Sequence, residues 1–233
     1  MKHSKPLKNP FASFTKAELA LWLSSLFLIV IPFCVFDREN YLTLIASLVG
    51  ATALIFCAKG NPIGQALMIV FSVLYGIISY TFAYYGEMIT YLGMSGPMAV
   101  FALVSWLKNP YQGNRSEVKA NRLSGKETLF SFFLTALVTL LFYFVLKAFH
   151  TANLIFSTIS VGTSFLAVYL TFRRSAYYAL AYAANDIVLI VLWVWATLTD
   201  LSYLSVVICF VIFLANDLYG FFNWLKMQKR QSS

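Results

Sequence analysis

Charged side chains are scarce in this chain, at 11% of its 233 positions, where soluble domains carry roughly a quarter. So few charges cannot clothe the surface of a water-soluble globule, and hydrophobic residues, at 60%, supply a lipid-facing surface instead. Cysteine is equally sparse. Cys34, Cys57 and Cys209 fall inside apolar stretches, without paired spacing or a neighbouring histidine cluster, so they read as packing residues rather than as a disulfide framework or a metal site. The two histidines, His3 and His150, lie outside the apolar spans, which leaves a lipid-modifying membrane enzyme without a catalytic imidazole in the bilayer. There is no GxxxxGK phosphate loop, and no polar segment long enough to hold a nucleotide domain, so ATP-driven coupling has no residues to run on. No cofactor is implied.

A bilayer core takes about 20 apolar residues per helix, and segments of that kind occur at 17–36, 41–58, 63–84, 88–107, 128–149, 153–172, 176–198 and 202–225. Eight spans are therefore predicted. The first is followed by Asp37 and Glu39 rather than by a small-residue cleavage site, so it reads as a retained helix and not as a signal peptide. The net charge of +8 invites a nucleic-acid reading until its distribution is traced. Lys2, Lys5, Lys8 and Lys16, Lys59, the five bases between Lys108 and Lys126, Arg173 and Arg174, and Lys226, Lys229 and Arg230 all fall on one side, with only Arg38 and Lys147 on the other. Fifteen against two is a topology signal: it predicts both termini in the cytoplasm and removes nucleic acid as a partner.

The longest polar stretch, "KNPYQGNRSEVKANRLSGKE" (108–127), separates two halves that resemble each other. "SWLK" (105–108) and "NWLK" (223–226) match at an offset of 118, and "SVLYGIISYTFAYYGEM" (72–88) lies over "NDIVLIVLWVWATLTDL" (185–201) at 113, with Glu87 over Asp200. Copies four spans apart share one orientation, so this is a parallel repeat about an axis along the membrane normal. The predicted layout is an all-α integral membrane protein. It has an N-terminus with an extra helix (1–40), a three-helix repeat (41–107), a linker (108–127), a connecting helix (128–150), a second three-helix repeat (151–226) and a tail (227–233). Duplicated polytopic proteins of this kind point to transport, with the site between the halves near the midplane.

Ionisable and amide side chains inside spans are costly and face the interior. They are few here: Gln65 in the third span, Asn185 and Asp186 in the seventh, and Asn216, Asp217 and Asn223 in the eighth. Tyr178, Tyr182, Asn185, Leu189 and Trp193 recur at helical spacing, so aromatic rings bracket an amide on one face. Asn216, Tyr219 or Gly220, and Asn223 share a face by the same spacing. The candidate ligand contacts are Asn185, Tyr178, Tyr182, Trp193, Asn216, Tyr219, Asp186 and Gln65. An intramembrane asparagine also serves as interhelical glue, a role open to Asn216 and Asn223. Trp106 and Trp224, each beside a lysine, read as membrane-interface anchors. Rings plus an amide suit a flat heteroaromatic with hydrogen-bonding edges, and ring faces with a carboxylate nearby accept a cationic ring. A nucleoside or a vitamin has that chemistry.

From about residue 40 onward the chain resembles the PnuC-type nicotinamide riboside transporters, bacterial relatives of the SWEET sugar carriers. The resemblance is carried by "YYGE" (84–87), "EVKANRLS" (117–124), "STISVGTSFLAVYLTFRRS" (157–175), Asn185 and "NDLYGFFNW" (216–224), in that order. It implies a bacterial inner-membrane carrier with one helix added to a three-one-three core, assembled as a homotrimer. The resemblance further implies facilitated diffusion of nicotinamide riboside, an NAD precursor, trapped by a separate cytoplasmic kinase. The family pattern has tryptophans where this chain has Tyr178 and Ala181. Either Tyr178 and Tyr182 stack on the ligand instead, or the ligand is another vitamin or nucleoside, such as thiamine, riboflavin or a deoxynucleoside.

Overall fold

The computed structural model describes residues 10–36, 38–81, 85–151 and 153–232. Lys2, His3, Lys5, Lys8, Asp37 and Tyr84, used above, lie outside them. Among the described residues eight helices are long and apolar enough to cross a membrane. They are α1 (Lys16–Phe36), α2 (Tyr41–Ala58), α3 (Pro62–Thr81), the composite span Tyr85–Lys108, α6 (Gly125–Ala148), α7 (Leu154–Phe172), α8 (Tyr178–Thr197) and α9 (Leu204–Ser232). The composite span is built of α4 (Tyr85–Ile89), a π-helical segment (Thr90–Ser95) and α5 (Gly96–Lys108). The expected spans are recovered, with ends shifted by a few residues. The largest shift is in α9, which continues through the expected tail because the linker gives that end partners. Arg230 pairs with Glu117, the Gln231 amide nitrogen donates to the Val118 carbonyl at 3.0 Å, and Ala120 N–H donates to Gln231 Oε1 at 2.8 Å.

Two turns at the linker end have matching construction. After α2 the chain passes through Gly60 at φ +65°, Asn61 N–H donates to the Phe56 carbonyl at 3.0 Å, and Asn61 Oδ1 accepts from Ile63 N–H at 3.0 Å. After α7 it passes through Arg174 at φ +58°, Ser175 N–H donates to the Leu170 carbonyl at 3.0 Å, and Ser175 Oγ accepts from Tyr177 N–H at 3.4 Å. Every partner in the second turn lies 114 positions beyond its counterpart in the first. The left-handed residue reverses the chain and spares the last carbonyls of each helix from going unpaired, and Pro62, with no N–H to lose, opens α3. The linker begins as a short antiparallel hairpin of β1 (Pro110–Tyr111) and β2 (Asn114–Val118). It then lies across both turns, Val118 N–H donating to the Gly60 carbonyl and Asn121 N–H to the Arg174 carbonyl, each at 2.9 Å.

Trp106 and Trp224 differ from the expected interface anchors: both are fully buried. Trp106 Nε1 donates to the Thr171 carbonyl at 2.9 Å, and Trp224 Nε1 donates to the Cys57 carbonyl at 2.8 Å. Their neighbours follow suit, Ser105 Oγ donating to the Phe172 carbonyl and Asn223 Nδ2 to the Ala58 carbonyl, both at 2.8 Å. The acceptors are C-terminal helix carbonyls, which lack an intrahelical donor, so a buried indole N–H has a better partner there than at a lipid headgroup. The third helix of each half thus reaches the first helix of the other. In these bonds the acceptors lie 114 positions apart and the donors 118.

Helix α1 packs outside this core against α2 and α9. Its hold is polar as well as apolar: Ser25 Oγ accepts from Asn216 Nδ2 at 2.9 Å, Trp22 Nε1 donates to Thr52 Oγ1 at 3.1 Å, and the buried Glu18 pairs with Lys59 at 2.7 Å. By contrast α6 shows Leu129, Phe130, Phe132, Phe133, Leu137 and Phe144 on exposed faces, as expected of a helix at the bundle perimeter.

Candidate functional site

The two halves meet around a central cavity of about 60 Å³. Helix α8 presents Tyr182, Asn185, Asp186 and Leu189 to it, α7 presents Ser164 and Val168, and α9 presents Phe210, Phe213 and Asp217. The first half supplies Gly50 and Leu54, then Met68, Phe71 and Ser72, then Tyr91, Ser95 and Ala99. On the register set by the turns, Gly50 corresponds to Ser164, Leu54 to Val168, Met68 to Tyr182, Phe71 to Asn185 and Ser72 to Asp186, each 114 positions on. Ser95 and Ala99 correspond to Phe213 and Asp217 at 118, the spacing of the two tryptophans. Matched positions therefore face one cavity; both halves give rings and hydroxyls, and the second alone gives it the amide and the two carboxyls.

A second lobe of about 40 Å³ continues away from the linker end, sharing Tyr91, Ser95, Ser164, Leu189 and Phe210 with the first and adding Glu87, Ser157, Ser160 and Trp193. Tyr91 and Ser95 sit on the π-helical segment Thr90–Ser95. Such segments displace side chains from the regular helical progression and are common at functional sites. Tyr91 also packs against Tyr75, with ring centroids 4.6 Å apart, and Phe71 lies 6.1 Å from both Tyr91 and Phe213. This ring cluster closes the space between the lobes.

Asn185 is held firmly. Its Oδ1 accepts from Ser160 Oγ at 3.0 Å and from Thr163 Oγ1 at 2.9 Å, both on α7. With the oxygen so engaged, the Nδ2 group, which makes no hydrogen bond to any described residue, is the part of the amide left to offer a ligand. Asp186 is buried, faces Asp217 across the α8–α9 contact, and has one carboxyl oxygen, Oδ2, with no hydrogen-bond partner. Orphaned buried polar atoms are rare in folded proteins, and a missing ligand is one of the standard reasons for one.

The candidate contacts divide by position. Asn185, Tyr182 and Asp186 line the central lobe and Trp193 the second, where its ring also packs 5.3 Å from Tyr203. Tyr178 is buried one turn nearer the linker end, its ring edge-on to Trp224 at 5.1 Å and to Tyr182 at 6.2 Å, so it supports the cavity from beneath. Asn216 faces α1 and the Ser25 hydroxyl, Tyr219 donates to Glu18 Oε1 at 3.1 Å, and Gln65 donates to Cys57 Sγ at 3.2 Å; none of these three lines either lobe. Asp217, about 100° round the helix from Asn216, is the residue that α9 turns inward. Phe71, Tyr91, Phe210 and Phe213 were not among the candidates, because aromatic residues are too frequent here, at 18% of the chain, to stand out. The 114 spacing of the two turns puts Phe71 opposite Asn185, one residue from the Ser72 that the sequence offset of 113 places there. Among the described residues no group of acidic, histidine and cysteine side chains is placed to hold a metal ion.

Comparison with known proteins bears on this arrangement. The family described as "Nicotinamide mononucleotide transporter" matches residues 40–226. The chain belongs to that family. This nicotinamide mononucleotide transporter family is one of membrane transporters, not of enzymes. Within reach of the chain are two proteins named nicotinamide riboside transporter PnuC. One, from Neisseria mucosa, is 28% identical over 228 residues, covering 95% of this chain and 86% of the relative. The other, from Haemophilus influenzae, is 25% identical over 225 residues, covering 96% of each. Among solved structures the chain is similar to the crystal structure of the vitamin B3 transporter PnuC, at 26% identity and a TM-score of 0.81 over 95% of both chains. The family match starts at residue 40, so α1 lies ahead of it. The cavity sits wholly within the matched region.

Proposed function

We propose that this protein carries nicotinamide riboside across the bacterial inner membrane by facilitated diffusion, with a separate cytoplasmic kinase trapping the imported nucleoside as its phosphate. The observation that carries the proposal is the central cavity at the meeting of the two halves, where a fixed amide and two carboxyls are ringed by aromatic side chains. Asn185 Nδ2 is a donor suited to the carboxamide oxygen of a nicotinamide ring, and Tyr182, Phe71 and Phe210 offer faces and edges for the ring itself. The names of the two relatives support the choice of ligand.

Ligand pockets generally measure some 300–1,000 Å³, far more than the two lobes hold, so the conformation described is closed and the ring cluster must part to admit a nucleoside. Parallel repeats joined at one end by matched bonds suit alternating access, in which one half rocks against the other about a midplane site. The duplicated three-one-three organisation is part of the same proposal, and the paired turns and exchanged tryptophan bonds support it. The charge bias of fifteen to two supports cytoplasmic termini, and a homotrimer is the assembly the family resemblance implies.

A second reading keeps the carrier and changes the cargo to another vitamin or nucleoside, such as thiamine, riboflavin or a deoxynucleoside. It is favoured by Ala181, which stands where the family pattern has a tryptophan and does not line the cavity. A binding panel of these compounds on the purified protein, followed by uptake into proteoliposomes, decides between the two. Nicotinamide riboside should bind tightest and equilibrate without accumulating. Tighter binding of another member moves the cargo, and accumulation driven by a proton or sodium gradient makes the protein a symporter.

A further inference from the structure

We infer that this site selects its cargo on positive charge: the cavity is built for a cationic heteroaromatic ring, and Asp186 and Asp217 are the residues that read the charge. The inference rests on the carrier reading above and narrows it. Every ionisable side chain other than tyrosine along the two lobes is acidic, Asp186 and Asp217 in the centre and Glu87 at the far end, and no lysine, arginine or histidine lines either lobe among the described residues. At the linker end the half-buried Lys59 is already engaged by Glu18.

Two carboxyls turned toward one another in an apolar wall are a poor arrangement for stability, because neither can be solvated well and like charges repel. The two carboxyls contact each other, and beyond that contact the bundle gives Asp186 Oδ2 no partner. The orphaned Oδ2 of Asp186 marks where the compensating group is missing, and a cation placed there would meet both carboxyls at once. Independently of the acids, the unpartnered Nδ2 of Asn185, on the adjacent residue, points to a ligand that also carries a hydrogen-bond acceptor. Tyr91, Tyr182, Phe71 and Phe210 surround the same space, and ring faces stabilise a desolvated cation while doing nothing comparable for a neutral or anionic ring.

The register of the two halves adds a reason to assign a function to these acids. Asp186 corresponds to Ser72 and Asp217 to Ala99, both of which line the same cavity. The first half shows that the positions can be filled without any charge, so packing alone does not call for carboxyls in the second. Among the cargoes considered, nicotinamide riboside and thiamine carry a permanent positive ring; riboflavin and deoxynucleosides do not.

The test uses calorimetric binding on the purified full chain with two nearly isosteric probes, nicotinamide riboside and 3-carbamoylphenyl riboside, in which the charged ring nitrogen is replaced by carbon. A charge-assisted contact predicts at least about tenfold tighter binding of the cation. Asp217→Asn should collapse that gap by weakening the cation alone, and Asp186→Asn should do the same. Equal affinity of the wild-type protein for the two probes overturns the inference, as does an Asp217→Asn variant that weakens both equally. The wild-type comparison needs no variant and stands even where a substitution fails to fold. Thiamine, thymidine and riboflavin separate this inference from the choice of cargo. Binding of thiamine in place of both nicotinamide probes, with riboflavin and thymidine excluded, sinks the nicotinamide riboside reading and upholds charge selection. Preference for riboflavin or thymidine over both cations sinks charge selection.

Discussion

Trp106 and Trp224 lie with ring centroids 5.4 Å apart, and each donates its indole N–H to a helix-end carbonyl belonging to the opposite half, Trp106 to Thr171 and Trp224 to Cys57. The pair closes one end of the bundle with two crossed bonds. Because the donors are 118 positions apart and the acceptors 114, the contact behaves as one interaction made twice, which is what a duplicated three-helix unit would leave.

Trp106→Phe and Trp224→Phe keep most of the ring and remove the donor. Each should cost about 0.5–1.5 kcal/mol, the net worth of one hydrogen bond, because the Thr171 carbonyl keeps the Arg174 N–H and the Cys57 carbonyl keeps the Gly60 N–H, and the two costs should be similar. The combined variant should depart from additivity, since neighbours that share a packing environment couple. Melting temperatures of the purified variants, in one detergent, check both points. A large loss for one and none for the other would mean that the two halves are not held together symmetrically.

Asn185→Ala tests the amide. Removing an interhelical polar contact in a membrane protein costs about 0.6 kcal/mol on average and under 2 kcal/mol at most, so expression and melting temperature should be nearly unchanged. Binding of nicotinamide riboside should weaken by about 1–3 kcal/mol, or roughly 5- to 150-fold, because the ligand's desolvated acceptor loses its donor. Thr163→Val should produce a smaller loss in the same direction by loosening the amide. Lowered stability with unchanged affinity in the folded fraction would make Asn185 structural.

Asn216→Ala should give the reverse pattern. Asn216 is fully buried and ties α9 to Ser25 of α1 at 2.9 Å, away from the cavity. Its loss should lower the melting temperature, by an amount matching about 0.6–2 kcal/mol, and leave ligand affinity where it was. Ser25→Ala should reproduce the effect, and the double variant should be little worse than either single one. Weakened binding in Asn216→Ala without loss of stability would bring this residue back to the site.

The contrast between Asn185 and Asn216 shows what could be read from sequence and what could not. Span number, span position, the polar linker and the sidedness of charge depend on hydrophobic length and on lysine and arginine counts, and both are written directly in the chain. That an intramembrane polar residue turns away from lipid is equally legible. Which interior it turns toward is not. Asn216 and Asp217 are adjacent, yet one serves a helix contact and the other the cavity, because α1 packs on one side of α9 and the two halves meet on the other. Tyr219 and Gln65 found partners in the same way, in Glu18 and Cys57, residues 201 and 8 positions away. The tryptophans beside Lys108 and Lys226 followed the pattern of interface anchors, but the acceptors that bury them belong to helix ends distant in sequence. The sequence offset of 113 sets Ser72 against Asn185, whereas the turns of the structure set Phe71 there, so the ring facing the amide was legible only once the turns were placed.

Ala181→Trp restores the residue type found in the family pattern and asks whether the missing ring belongs to the site. Ala181 lies on the side of α8 that faces a separate groove of about 760 Å³ between α6, α7, α8 and the linker, beside Leu166, Leu170 and Ala184, and it is absent from the central cavity. The groove has room for an indole, and an apolar ring there buries surface against leucines, so the variant should fold with unchanged or slightly raised stability. Affinity for nicotinamide riboside should stay close to wild type, because Tyr182 already occupies the adjoining cavity wall and the added ring is turned away from it. Calorimetry together with a melting curve on one preparation reads both quantities. A substantial rise in affinity would mean that α8 rotates on binding so that position 181 reaches the ligand, and would restore the tryptophan's stacking role to this chain's pocket. Loss of all binding in a stable variant would mean that the groove itself opens into the transport path.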